Sequence, residues 1–325
     1  MNQRASTAPI TISLVIPSFN RGPLIAETIR SALAQTVSFH DIVVVDDGST
    51  DNTTEALLPF GEQITVLHLA RGGVQAARNA GVALAGGDYI VLCDSDDLLE
   101  PDFVEQAVAC LTMRPETDAF YCNFVTFDEN GVHVDKFSLA PAAFFDGARR
   151  EGDFIWDVPD LYVRTVGYQP LFISGCLVRK AFYQQLGGFN TAFNNIGGED
   201  WEFTLRVIAS GKVALCTKVL ARIRKHASNQ SGDSMRQVRG TASILEYALT
   251  AHPGADRYRD EVRASIEKRR LNVFHVAFAR ANFDIAEEML TLMSAHPTDL
   301  KFRVKTMITK LSPRVRQYAW RLLQR

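Results

Sequence analysis

Short apolar runs alternate with helical stripes through the first third of the chain. Residues 10–16 form a β-branched run that stops at Pro17. In 23–34, Leu24, Ile25, Ile29, Ala32 and Leu33 recur at helical spacing. Residues 42–45 are a fully apolar strand that runs into Asp46-Asp47-Gly48. Asp51 is placed to cap a short helix ending at Leu58, and 64–69 predicts a third strand. Residues 74–84 are alanine-rich and helical until Gly86-Gly87 stops them. A fourth strand, 89–92, delivers Asp94-Ser95-Asp96-Asp97, and Pro101 suits the first turn of a helix running to Met113. The strands are too uniformly apolar to have a wet face. The pattern therefore predicts an α/β fold with a mostly parallel central sheet and helices on both faces.

The second half is less regular. Residues 129–165 mix Gly, Pro, Asp and aromatics and read as a long excursion. Residues 171–178 are strand-like, Gly187-Gly188-Phe189 is a turn, and 199–210 is a helix opening on an acidic pair. Two strands are predicted at 213–216 and 219–223, and helical patterning takes over from Gly240. The predicted division is an α/β domain over 1–236 and a helical extension over 237–325.

Charge supports two parts with separate jobs. The chain has 325 residues and a net charge of −2, but residues 237–325 hold 16 Lys and Arg against 9 Asp and Glu. The remaining residues are acidic, with 19 against 28. With 46% apolar and 22% charged residues, the composition excludes a disordered chain. No apolar run approaches the ~18 residues of a membrane span, and the first ten residues lack the plan of a signal peptide. Five scattered cysteines without CxxC spacing suit a reducing compartment, so the expected location is cytoplasmic.

In parallel sheets ligands bind beyond the carboxyl ends of the strands, and both acidic clusters lie there. Asp94, Asp96 and Asp97 crowd charge into four residues. A hard divalent cation, Mn²⁺ or Mg²⁺, relieves such repulsion and takes one or two carboxylates plus phosphate oxygens. The plainer reading is a solvated turn whose aspartates cap the next helix. Asp46 and Asp47 have the geometry to meet a base N–H or a ribose hydroxyl, or simply to cap a loop. Arg78 suits a nucleotide or phosphate, or a solvated helix face. Glu199-Asp200 supplies a general base or only complements a helix dipole. His226 is a metal or phosphate contact, or an ordinary surface histidine.

Taken in order, several segments resemble family-two glycosyltransferases with the GT-A, Rossmann-like fold. They are Leu14-Val15-Ile16-Pro17-Ser18-Phe19-Asn20, Val44-Val45-Asp46-Asp47-Gly48-Ser49-Thr50-Asp51 and Gly72-Gly73-Val74-Gln75-Ala76-Ala77-Arg78-Asn79-Ala80-Gly81. Gly87-Asp88-Tyr89-Ile90-Val91-Leu92-Cys93-Asp94-Ser95-Asp96-Asp97, Gly187-Gly188-Phe189-Asn190 and Gly198-Glu199-Asp200-Trp201 follow. The resemblance covers roughly 11–230; one departure is Arg71, where the family often has Asn.

The resemblance implies that Pro17, Phe19 and Asn20 border a nucleoside, with Asp46 and Asp47 on base and ribose and Arg78 behind them. It implies that Asp94, Ser95 and Asp96 contact the donor, that Asp96, Asp97 and His226 hold the metal in a DxD-type site, and that Asp200 is the base beside Glu199. The implied reaction is inverting transfer from a nucleotide-sugar, most often a UDP-sugar, to a hydroxyl of a glycan or lipid-linked acceptor, as in surface polysaccharide synthesis. Two other readings stand beside it. A sugar nucleotidyltransferase needs a Gly-rich basic loop after its first strand, and Pro17-Ser18-Phe19-Asn20-Arg21-Gly22 is a poor one. An inactive nucleotide- or glycan-binding module would not need the carboxylates at 94, 96, 97, 199 and 200. No GxGxxG follows a strand, so a dinucleotide site is excluded.

Nucleic acid is not an expected partner. From 301 to 325 the chain carries eight Lys and Arg and no Asp or Glu. Val304, Met307, Ile308, Leu311 and then Val315, Tyr318, Ala319, Leu322 keep helical spacing, divided by Pro313. Such a stripe lies on an anionic membrane, peripherally on the inner face, or packs on the protein itself or on a second copy in a homo-oligomer.

Overall fold

The computed structural model describes residues 9–226 and 234–323. Residues 1–8 and the last basic residue of the tail, Arg325, lie outside them. The chain forms two compact units, Met1–Asn194 with Phe203–Ala227, and Asn195–Glu202 with Ser228–Arg325.

The first unit is built on one sheet. Its strands are β1 (Ile12–Ser18), β2 (Ile42–Asp46), β3 (Thr65–His68), β4 (Tyr89–Leu92), β5 (Leu98–Leu99), β6 (Ala119–Asp128), β7 (Gly131–Val132), β8 (Arg149–Glu151), β9 (Phe154–Trp156), β10 (Cys176–Arg179) and β11 (Val213–Arg224). Their order is β3-β2-β1-β4-β10-β6-β11-β9-β8, with β5 on β11 and β7 on β6. The first four in that order run parallel, β10 is antiparallel to both neighbours, and β6 pairs parallel with β11.

Alternation along β1 explains the layers. Leu14 and Ile16 point to one face, where they meet helices α1 (Gly22–Leu33), α2 (Thr53–Leu57) and, through Phe103, Val104 and Ala107, α4 (Phe103–Met113). Val15 points to the other, with Ala77 and Val82 of α3 (Val74–Leu84). That face also takes α5 (Leu161–Gly167), α6 (Lys180–Gln185) and, through Phe203 and Val207, α7 (Glu199–Ser210). A β-carbon on Gly81 would run into Val15 and Val45, so this glycine lets α3 lie close on the sheet.

Several sequence expectations change. The central strand β6 was not predicted. Residues 171–178 yield only the short β10, and the two strands predicted at 213–223 are one, β11, with register shifts between Cys216 and Val219 and between Val219 and Ala221. Such shifts kink a strand and mimic a break in the pattern.

The second unit contains α8 (Ser234–Ala251), α9 (Arg259–Ala279), α10 (Phe283–Leu292), α11 (Leu300–Thr309) and α12 (Pro313–Leu323). Its core joins Val273, Phe274, Ala277, Ala286, Met289, Leu290 and Phe302. The predicted boundary at 236/237 falls inside α8, because the polar start of that helix hides its periodicity. None of the helices among the described residues is long and apolar enough to cross a membrane. All five cysteines are buried and free.

Candidate active site

The loops after β1, β2 and β4 carry most of the predicted residues, and the end of β11 carries one more. In the parallel register Pro17 lies opposite Val45 and Ser18 opposite Asp46. The chain therefore leaves β1 and β2 side by side, and Asp47 N–H donates to the Ser18 carbonyl at 2.8 Å. Asn20 turns the chain with a positive φ of 52°, a conformation Asn tolerates better than most residues. Its amide N–H donates to Ser49 Oγ at 2.9 Å and its Oδ1 accepts from Thr50 N–H at 2.8 Å. Two loops distant in sequence are thus one surface.

Asp46 and Asp47 are nearly fully buried, and both hold backbone. Asp46 Oδ1 accepts from Ser49 N–H at 3.0 Å, and Oδ2 lies 3.2 Å from His68 Nδ1. Asp47 Oδ1 accepts from Gly72 N–H at 2.7 Å; Oδ2 accepts from Gly73 N–H at 2.8 Å and Arg71 Nη1 at 2.7 Å. Charge-assisted bonds of this kind are about twice as strong as neutral ones. The guanidinium of Arg71 also lies 3.3 Å from the centre of the Phe19 ring. The departure from the family pattern at 71 is therefore a built contact that ties Phe19 to Asp47.

Arg78 is buried in α3 and donates from Nη2 to Asp94 Oδ1 at 2.6 Å. Its neighbour Asn79 was not singled out in the sequence. It clasps the turn at 187–189: Nδ2 donates to the Phe189 carbonyl, while Oδ1 accepts from Phe189 N–H and Tyr183 Oη–H. An Asn after a helical Arg gives no local signal for a partner 110 residues away.

The four-residue acidic cluster splits by role. Asp94 N–H donates to Ser174 Oγ at 3.0 Å, and Ser95 is buried. Asp96 Oδ2 stands 2.9 Å from His226 Nε2 and 3.4 Å from Arg21 Nε, with 14% of its side chain exposed. His226, just past the end of β11, thus meets the central aspartate. Asp97 is 2% exposed. Its Oδ2 accepts from Ser174 Oγ at 2.5 Å and its Oδ1 from Arg224 N–H at 2.9 Å. Burial, then the charges of Asp96 and Asp94, push its carboxyl well above the usual range. Asp97, expected as a metal ligand, brackets the β4 loop to β11 with both oxygens hydrogen-bonded.

Among the described residues no group of three or more His, Cys, Asp and Glu converges. Asp96 and His226 offer one oxygen and one ring nitrogen. That suits a cation that takes few protein ligands and completes its shell with phosphate oxygens.

Glu199 and Asp200 open α7 in the second unit, both half-buried. Glu199 Oε2 accepts from Gly197 N–H at 3.0 Å. Next in the helix, Trp201 and Glu202 are buried; Arg269 lies 4.9 Å from the Trp201 ring, and Glu202 Oε1 is 3.2 Å from His252 Nε2.

Comparison with known proteins decides the class. The model described as glycosyl transferase family 2 matches residues 13–161, and one described as the N-terminal domain of galactosyltransferase matches 166–226. An uncharacterized glycosyltransferase of Bacillus subtilis, YwdF, is 31% identical over 226 residues, covering 68% of this chain and 78% of that one. The chain belongs to glycosyltransferase family 2. It is a glycosyltransferase, which sets aside the nucleotidyltransferase and inactive-module readings. An uncharacterized glycosyltransferase of Rickettsia felis is 27% identical over 225 residues, but the match spans only 35% of its length. Among solved structures, S. aureus TarS in complex with UDP-GlcNAc aligns with a TM-score of 0.59 at 19% identity, covering 95% of this chain and 87% of that one. This likeness supports the GT-A fold of the family-2 enzyme described here.

Proposed function

We propose that this family-2 glycosyltransferase moves a sugar from a UDP-sugar to a hydroxyl of a glycan or lipid-linked acceptor, with inversion, in surface polysaccharide synthesis. The observation that carries the donor half is the pairing of Asp96 with His226 at 2.9 Å, beside Arg21 and next to the Arg78–Asp94 pair. UDP is favoured because the TarS neighbour is solved with UDP and with UDP-GlcNAc.

In this reading Phe19, Asn20 and Pro17 border the nucleoside, and Asp46 and Asp47 hold the loops around it. Asp94 and Ser95 lie at the ribose and sugar. Asp96 and His226 hold Mn²⁺ or Mg²⁺. When bound, such a cation neutralises the diphosphate charge that makes UDP a poor leaving group. Asp200 takes the proton from the acceptor hydroxyl as that oxygen attacks the anomeric carbon, and general bases contribute about 10²–10⁴-fold. The sugar–phosphate bond breaks on the opposite side, so the configuration inverts.

The test is thermal stability with a panel of nucleotides, with and without Mn²⁺. A ligand that binds only the folded chain at 100 times its Kd adds about 2.7 kcal/mol. The expected result is a Tm rise with UDP and Mn²⁺ together that EDTA removes. A larger rise with GDP or dTDP overturns the donor assignment; an equal rise with UDP in EDTA overturns the metal.

A further inference from the structure

The predicted apolar stripe of the tail is divided by the structure. Val304, Ile308, Leu311, Ala319 and Trp320 pack around Phe278 and Phe283, and Trp320 Nε1–H donates to the Phe278 carbonyl at 2.8 Å. Arg316 reaches Asp284 at 3.1 Å. This side of α11 and α12 is core. The other side is not covered by any of the described residues. Val315, Tyr318 and Leu322 are 50%, 67% and 52% exposed and follow i, i+3, i+7 along α12, with Arg314 and Arg321 exposed beside them. On α11, Leu300 and Met307 are exposed, as are Arg303 and Lys310, which share the same face at i, i+3, i+7, i+10.

We propose that these outward faces of α11 and α12 dock on an anionic lipid surface. Two properties select that occupant. The apolar residues are interleaved with arginine and lysine, the pattern of a helix lying in a headgroup region. From 301 to 325 there is no acidic side chain, so a second copy laid on the same face would set cation against cation. Phosphate-bearing headgroups are complementary to both features, since Lys and Arg near an anionic leaflet are attracted while aromatic and aliphatic side chains enter the interface. The helices are too short and too charged to cross, so the association is peripheral and salt-sensitive.

The test uses the full chain with vesicles of phosphatidylcholine alone or with phosphatidylglycerol, followed by sedimentation at low and high salt. The protein should pellet with the anionic vesicles at low salt and stay in solution with neutral ones. The double variant Arg314→Gln, Arg321→Gln should weaken binding about fivefold per charge. The triple variant Val315→Ser, Tyr318→Ser, Leu322→Ser should abolish it with an unchanged circular dichroism spectrum, because all three side chains are exposed. Failure to pellet with either vesicle, or pelleting unchanged in the triple variant, overturns the proposal. So does a doubling of mass in solution that the triple variant reverses, which would make the face a contact between copies.

Discussion

Adjacent aspartates in one motif do opposite things here. Asp96 turns an oxygen outward to His226 and Arg21, whereas Asp97 turns both oxygens inward to Ser174 and to the Arg224 N–H. Substitutions separate them. Asp96→Asn removes the charge a cation needs, so the Mn²⁺-dependent part of the UDP thermal shift should vanish while the Tm without ligand stays within a degree or two. Asp97→Asn keeps an acceptor for Arg224 N–H and should retain that thermal shift. Asp97→Ala removes the carboxylate that accepts from the Ser174 hydroxyl and from the Arg224 backbone N–H, at a cost of about 1–3 kcal/mol measurable by urea unfolding. If Asp97→Asn loses the Mn²⁺ response as completely as Asp96→Asn does, the bracket assignment is wrong. The cluster itself was legible in the sequence, because charge concentrated after a buried strand has few uses. The split was not, since it is decided by Ser174 and Arg224, 77 and 127 residues away from Asp97. A second residue-level effect is a pH one. Burial, then the charge of Lys305, hold the His275 imidazole below its ordinary pKa. The unfolded chain therefore takes up a proton near pH 6.5 that the folded chain takes up only lower. Stability should fall as pH drops below about 6.5, and His275→Gln should flatten that slope in thermal melts.

Elements with a clean period were read within a residue or two. Val74–Leu84, Tyr89–Leu92 and Glu199–Ser210 form as their spacing predicts. Those decided by tertiary pairing were not. Ala119–Asp128 is a central strand only because β10 and β11 flank it. The start of α7, although legible in the sequence, is also held by residues distant in the chain. Residues 195–202 are gripped within the helical unit. A β-carbon on Gly240 of α8 would overlap the Gly197 carbonyl oxygen, and one on Gly198 would press on Thr241. Trp201 lies under Arg269, and Glu202 meets His252 where neither side chain is more than 1% exposed. This grip orders the turn that presents Asp200. Glu202→Ala should lower stability by about 1–3 kcal/mol, because His252 loses its buried acceptor. Glu202→Gln, which keeps an oxygen, should lose less. Gly240→Ala should reduce turnover more than it reduces the UDP thermal shift, since the residues assigned to the donor lie in the other unit. Equal losses would mean that the contact serves general stability and not the placement of Asp200.

At the scale of the whole molecule, the residues assigned roles above fall in both units. Every residue assigned to the donor, from Pro17 to Asp96 with His226, belongs to the sheet-bearing unit; Glu199 and Asp200 belong to the helical one. The family match runs to residue 226 and includes Glu199 and Asp200, so the 195–202 segment is the part of the helical unit that lies within the matched sequence. Donor binding and turnover should therefore be separable by mutation. Asp200→Asn preserves the size of the side chain and a hydrogen-bonding group at the start of α7, but it cannot accept the acceptor's proton. UDP affinity, read from the thermal shift with Mn²⁺, should stay within about twofold, and turnover should fall roughly 10²-fold or more. A real loss of basicity has a second signature. The pH profile of kcat in wild type should lose its acidic limb in Asp200→Asn, because the group whose ionisation sets that limb is gone. Turnover near wild type, with the acidic limb intact, would move the base to Glu199 or elsewhere. A parallel loss of UDP affinity would instead make Asp200 a donor contact and would move the base elsewhere.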